Sequence, residues 1–225
     1  MDVDRIGPAS ALAKRLKGAA GLFKVGSQLF TSEGPQAVRA LAGQGFGIFL
    51  DLKFHDIPNT VAGAVSAAAK LPRIKLMTLH TAGGLAMMHA AREALADAKK
   101  RPALLGVTIL TSLDQAALRE VGISGTPASR AVALARLAKQ AGLDGVVASA
   151  QEVRAIRHAC GPKFIIVVPG IRPASGAVND QSRVATPFEA IRAGASYLVV
   201  GRPITEASKP REAALAIASE IAGAS

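Results

Sequence analysis

The chain has 225 residues, half of them hydrophobic, with one cysteine, no tryptophan and only 4% aromatics. Lys and Arg number 27 against 16 Asp and Glu, a net charge of +11, which suits anionic partners but mostly describes a basic solvated surface. These values exclude an internal disulfide and a thiolate metal cluster. Basic runs interleaved with aromatics are missing, so a nucleic-acid face is not expected. No apolar run is long enough to span a membrane and nothing at the start resembles a signal peptide, so a cytoplasmic enzyme is expected.

In chain order, a first amphipathic helix is predicted over Pro8 to Lys17. Seven short apolar runs follow and read as strands: Gly21 to Gly26, Gly47 to Lys53, Lys75 to His80, Ala103 to Thr111, Asp144 to Ser149, Lys163 to Pro169 and Ser196 to Gly201. Between them lie Ala-rich stretches with apolar residues at helical spacing, such as PQAVRALAGQG, NTVAGAVSAAAK and SRAVALARLAKQAG. Gly43, Gly142 and Gly194 are placed to end helices. Alternating strands and helices imply a parallel sheet with helical cover. A strand ahead of the first helix would make eight and close a (β/α)₈ TIM barrel, whose typical length of ~250 residues is close to this chain's; an open doubly wound sheet is the rival. No composition break divides the chain, so residues 1–225 are read as one domain. The longest irregular stretch, Arg172 to Thr186, is the kind of loop that is usually functional.

Catalytic groups of such barrels sit at the carboxyl ends of strands. Lys24 stands at one such end, and Asp51 and Lys53 at the next. Side chains two apart on a strand share a face, so Asp51 and Lys53 can share a site. Asp56 follows in a turn fixed by Pro58. One Lys–Asp pair alone would read as a structural ion pair; four charges of alternating sign at strand ends read as a site. Arg172 follows a strand in PGIRP, and Arg202 follows the last strand in VGRPIT. Pro203 there marks a short helix start, whose free N–H groups suit an anion. His55 and His80 read as packed or hydrogen-bonded histidines, and Met87 and Met88 as helix packing.

The segments FKVG, LDLKFHDIPNT, LTS, PGIRP, DQSR and VVGRPIT resemble, in order and spacing, the motifs of the orotidine 5′-phosphate decarboxylase family. The long DLKFHDIPNT string is the most specific, because a bare DxKxxD also occurs in related sugar-phosphate barrels. The resemblance implies a homodimer of barrels that converts orotidine 5′-phosphate to UMP and carbon dioxide, in pyrimidine biosynthesis, with no metal or cofactor. It implies that Lys53 protonates C6, that Asp51 lies beside the departing carboxylate, and that Lys24 and the neighbouring subunit's copy of Asp56 complete the array. Thr60 is carried over as a second residue crossing the dimer interface. Arg202, with the Gly201 backbone, is expected to hold the phosphate, and Arg172 and Gln181 to close over it. Thr111 is set against the base, although a strand-end hydroxyl bonded to backbone is an equal reading of its side chain.

The chain departs from the family at its start. The family's first strand ends in an Asp that binds ribose and holds the lysine. Counting back from Lys24 puts it at Asp2, with Asp4 as the competing choice. Nearly all of the first strand is then missing, and either a short, poorly paired strand or a start codon assigned too far downstream is expected. Two other functions stay in view: a metal-dependent sugar-phosphate decarboxylase or synthase of the same superfamily, and a non-catalytic nucleotide-binding barrel.

Overall fold

The computed structural model describes residues 1–98, 100–173 and 185–224. Its elements are α1 (Ile6–Arg15), β1 (Leu22–Gly26), α2 (Ser27–Glu33), α3 (Pro35–Gly43), β2 (Gly47–Phe54), α4 (Pro58–Ala69), β3 (Ile74–His80), α5 (Gly84–Glu93) and β4 (Ala103–Val107). They continue with α6 (Gln115–Glu120), α7 (Pro127–Gln140), β5 (Gly145–Val147), α8 (Val153–Cys160), β6 (Ile165–Val168), α9 (Pro187–Arg192), β7 (Tyr197–Leu198), α10 (Arg202–Thr205) and α11 (Pro210–Ala222).

The strands pair in parallel in the order β1-β2-β3-β4-β5-β6-β7. Sequential order excludes the doubly wound sheet, whose strand order reverses at a switch point. Period-2 alternation sorts the side chains. Val25, Ile48, Leu50, Met77, Leu79, Leu104, Val146, Ile166 and Val168 are buried in the core shared with the helices. Phe49, Leu76, Leu105 and Val167 form a second cluster on the inner face, with Leu22, Val147 and Val199 beside it. Phe49, Leu76 and Val167 also line a cavity inside the curled sheet.

Among the described residues, no strand forms in the five ahead of α1, in keeping with the expected truncation of the first strand. Residues 1–3 lie beside β1, where the Met1 amino group donates to the Lys24 carbonyl at 2.7 Å and no ladder follows. The sheet still curls, because residues of β1 and β7 line one common cavity with Ala214, Ile217 and Ile221 of α11.

Helix ends follow local chemistry. Gly43 is not a cap: α3 runs through it, and Gly45, with φ +89°, takes the left-handed position. Gly45 N–H donates to the Ala42 carbonyl and Phe46 N–H to that of Leu41, the paired bonds of a Schellman motif. Gly142 and Gly194 do end α7 and α9 in this way, with φ +79° and +107°. Gly145 has a different reason to be glycine. A Cβ there would stand 2.1 Å from the Ile165 carbonyl oxygen, so β5 approaches β6 only without a side chain. Met87, Met88 and Cys160 are buried in the helix-side core, where burial pushes the thiol up.

Candidate active site

Alternation sends Lys24 and Asp51 inward from β1 and β2, because Phe23 and Val25, and Leu50 and Leu52, pack outward. Both chains reach the carboxyl end of the sheet. The Asp51 carboxylate is buried and is the centre of the cluster. Its Oδ2 receives the Lys53 Nζ at 2.9 Å and faces the Lys24 Nζ at 3.6 Å. Its Oδ1 accepts from the Thr78 hydroxyl at 2.9 Å. Lys24 Nζ also meets Asp2 Oδ1 at 3.4 Å, so the order of charges is Asp2, Lys24, Asp51, Lys53. Burial pushes the Asp2 carboxyl up, but Lys24, the N-terminal ammonium and Lys53 outweigh it and hold the group below its ordinary value. Asp4 turns elsewhere and accepts from Gln28 Nε2.

Gly26 leaves room for the Lys24 ammonium beside Asp2. A Cβ on Gly26 would lie 2.9 Å from Lys24 Nζ and 3.7 Å from Asp2 Oδ1. Lys53 is held in a left-handed backbone conformation, φ +51°, which a non-glycine residue rarely adopts. The β2–β3 register shifts across this stretch, from Leu50↔Met77 to Phe54↔Leu79. Neither Gly26 nor Thr78 stands out from the sequence alone. Gly26 carries a usable signal, being two residues past Lys24 on the same strand face.

The cluster opens into a cavity of about 570 Å³, within the range of small-molecule sites. Asp2, Lys24, Asp51, Lys53, Thr111, Arg172, Gly201 and Arg202 all line it. The two arginines follow β6 and β7. Asp56 and Thr60 do not line the cavity. Asp56 is exposed and accepts from the Ile57 N–H at 2.6 Å, and Thr60 lies in the first turn of α4. Ile57 between them is 66% exposed, unusual for so apolar a side chain. Gln181 lies outside the described residues. His55 and His80 rings lie tilted against each other with centroids 5.4 Å apart, and burial, with His55 and Lys53 nearby, pushes the His80 imidazole below its ordinary value.

A parallel α/β barrel with paired lysines and carboxylates at its strand ends, and arginines lining the same cavity, is the class of barrel that suits a small anionic ligand. Residues 1–217 match the model of the orotidine 5′-phosphate decarboxylase / HUMPS family. The chain is 54% identical over 213 residues to an orotidine 5′-phosphate decarboxylase of Nitrosococcus oceani, covering 95% of this chain and 91% of that protein. A Moorella thermoacetica protein of the same name is 53% identical, with 98% and 90% covered. The solved structure of orotidine 5′-phosphate decarboxylase from Lactobacillus acidophilus superposes with a TM-score of 0.86 at 39% identity, over 98% of this chain and 96% of that one. The chain belongs to the orotidine 5′-phosphate decarboxylase / HUMPS family.

Proposed function

We propose that the chain is a decarboxylase that converts orotidine 5′-phosphate to UMP and carbon dioxide without a metal or cofactor. The observation that supports this most strongly is the buried Asp51 carboxylate bracketed by two ammonium groups, Lys53 at 2.9 Å and Lys24 at 3.6 Å. Cleavage of the bond from C6 to its carboxylate leaves an electron pair in the ring plane, where the π system cannot spread it. Fixed positive charge must then stabilise it. The Lys53 ammonium is that charge, and it gives a proton to C6 as carbon dioxide leaves. A unit pair at 4 Å is worth about 4 kcal/mol at an effective dielectric of 20.

Asp51 keeps the Lys53 ammonium aimed, at 2.9 Å. Lys24 and Asp2 take the ribose hydroxyls, Thr111 the base, and Arg202 with the Gly201 backbone the phosphate, closed over by Arg172 and Gln181. Anchoring the phosphate far from C6 lets binding energy align the reacting end. Asp56 and Thr60 act in the neighbouring site of a homodimer. Their exclusion from this chain's cavity and the exposed Ile57 between them support that reading.

The rival metal-dependent sugar-phosphate reading is disfavoured by electrostatics, since two ammonium groups beside Asp51 would repel a divalent ion. A purely nucleotide-binding barrel would have no use for Lys53 in a strained conformation. The test is the absorbance change of orotidine 5′-phosphate on conversion to UMP, with chelator present. Turnover in chelator is expected; turnover only after metal is added would favour the metal-dependent reading.

A further inference from the structure

We infer that Thr78 is the positioning residue of the Asp51–Lys53 pair. The inference rests on the decarboxylase reading above for its kinetic consequences, but its geometry does not depend on that reading. Thr78 lies on β3, paired with Leu105 of β4, and is fully buried. It does not line the cavity, so it acts through other groups.

Its hydroxyl does two things at once. It donates to Asp51 Oδ1 at 2.9 Å and accepts from the Lys53 backbone N–H at 3.0 Å. The first bond fixes which carboxylate oxygen is left to face the lysines. The second satisfies an amide that the β2–β3 ladder leaves behind, because four residues of β2 pass while β3 advances two. Lys53 lies within that slack, at φ +51°. Such a conformation is strained for a residue with a side chain and persists only where the surroundings over-determine it. The Thr78 oxygen is the partner that holds it, and Lys53 Nζ returns to Asp51 Oδ2 at 2.9 Å. Backbone N–H, hydroxyl, carboxylate and ammonium therefore form one closed ring through Thr78. Only a hydroxyl can donate and accept at this one point. The β-branch limits its rotamers.

The test compares T78V, which keeps the shape and removes the hydroxyl, with T78S, which keeps the hydroxyl. A further variant, T78A, serves if T78V does not fold. T78V is expected to lower kcat by about 10- to 100-fold, the range for losing hydrogen bonds to charged groups, with UMP affinity within about twofold of wild type. T78S is expected to stay within about threefold in kcat. Hydrogen exchange at the Lys53 amide supplies a readout that needs no substrate: protected in wild type and T78S, unprotected in T78V. Wild-type kcat and a protected Lys53 amide in T78V would overturn the inference. Equal loss of kcat and UMP affinity, or T78S as impaired as T78V, would also overturn it by reducing Thr78 to a packing residue. A wild-type protein without decarboxylase activity would sink the proposed function, while exchange at Lys53 would still decide the role of Thr78.

Discussion

Asp51→Asn removes one charge and almost no volume. In the structure that charge lies 2.9 Å from Lys53 Nζ and 3.6 Å from Lys24 Nζ. At an effective dielectric of about 20, unit charges at those separations attract by about 6 and about 5 kcal/mol. These are gross values, offset by the desolvation of a buried carboxylate. Truncating one member of a buried charge pair usually has a net cost of about 2–5 kcal/mol. Applied to the transition state, that is a fall in kcat of roughly 30- to 5,000-fold. Lys24 keeps Asp2 as a partner at 3.4 Å, whereas Lys53 loses the carboxylate it meets at 2.9 Å, so the loss should fall on kcat more than on KM. The Thr78 hydroxyl can still donate to the carboxamide oxygen of the variant, so the melting temperature should move little. Steady-state kinetics with orotidine 5′-phosphate, beside a thermal melt, reads both quantities. A kcat within about threefold of wild type in a folded variant would refute the claim that Asp51 holds Lys53 in place, since even the low end of the expected cost exceeds it.

Gly26→Ala should push the Lys24 ammonium out of place, since the new Cβ would stand 2.9 Å from it. A loss of up to about 100-fold in kcat/KM is expected, with little change in melting temperature; unaltered kinetics would mean that Lys24 has room to spare. Asp144→Asn tests a structural pair away from the site, where Asp144 takes both Arg101 nitrogens at 2.6 and 2.7 Å and the Leu104 N–H at 2.8 Å. Burial pushes the Asp144 carboxyl up, but the Arg101 and Leu104 bonds hold it below its ordinary value. Its contribution is therefore complete above about pH 4 and lost as pH falls through the lower folded value. The variant should be less stable by about 1.5–3 kcal/mol in urea at pH 7, and the gap should close in acid; a gap independent of pH would contradict the ion pair. Mixing inactive Lys53→Ala with inactive Asp56→Ala should restore up to roughly a quarter of wild-type sites if each site takes Lys53 from one subunit and Asp56 from the other. No recovery with heterodimers demonstrated would end the shared-site reading.

The positions of Lys24, Asp51 and Lys53 at strand ends are legible in the sequence because period-2 alternation and the FLDLKFHDIPNTV string are local features. The parallel sheet is legible for the same reason. The ring through Thr78 is not, because it depends on the β2–β3 register, and a slip of two residues between strands leaves no mark in either strand's own sequence. Apolar runs overstate the extent of the strands where they continue past the ladder, as in Thr108 to Thr111 beyond β4. There Thr108 instead bonds the Val147 carbonyl through its hydroxyl and its N–H. Gly43 fits the pattern of a helix end as well as Gly45 does, and only the Phe46 and Gly45 backbone bonds separate the two. Helices α2, α6, α8 and α11 lie outside the stretches read as helical from the sequence. Of these, α2 and α6 are too short to show a repeat, whereas α8 and α11 carry apolar residues at helical spacing, Val153, Ile156 and Cys160 in one and Ala214, Ile217 and Ile221 in the other.

The central claim is that the Lys53 ammonium stabilises and protonates C6. The most direct measurement is release of carbon dioxide from carboxyl-labelled orotidine 5′-phosphate by the Lys53→Ala protein, with UMP affinity measured on the same sample. The account predicts no detectable turnover and UMP binding retained to within about tenfold, because Arg202, Arg172 and Lys24 still line the cavity. Release near the wild-type rate from a protein that binds UMP normally would contradict it.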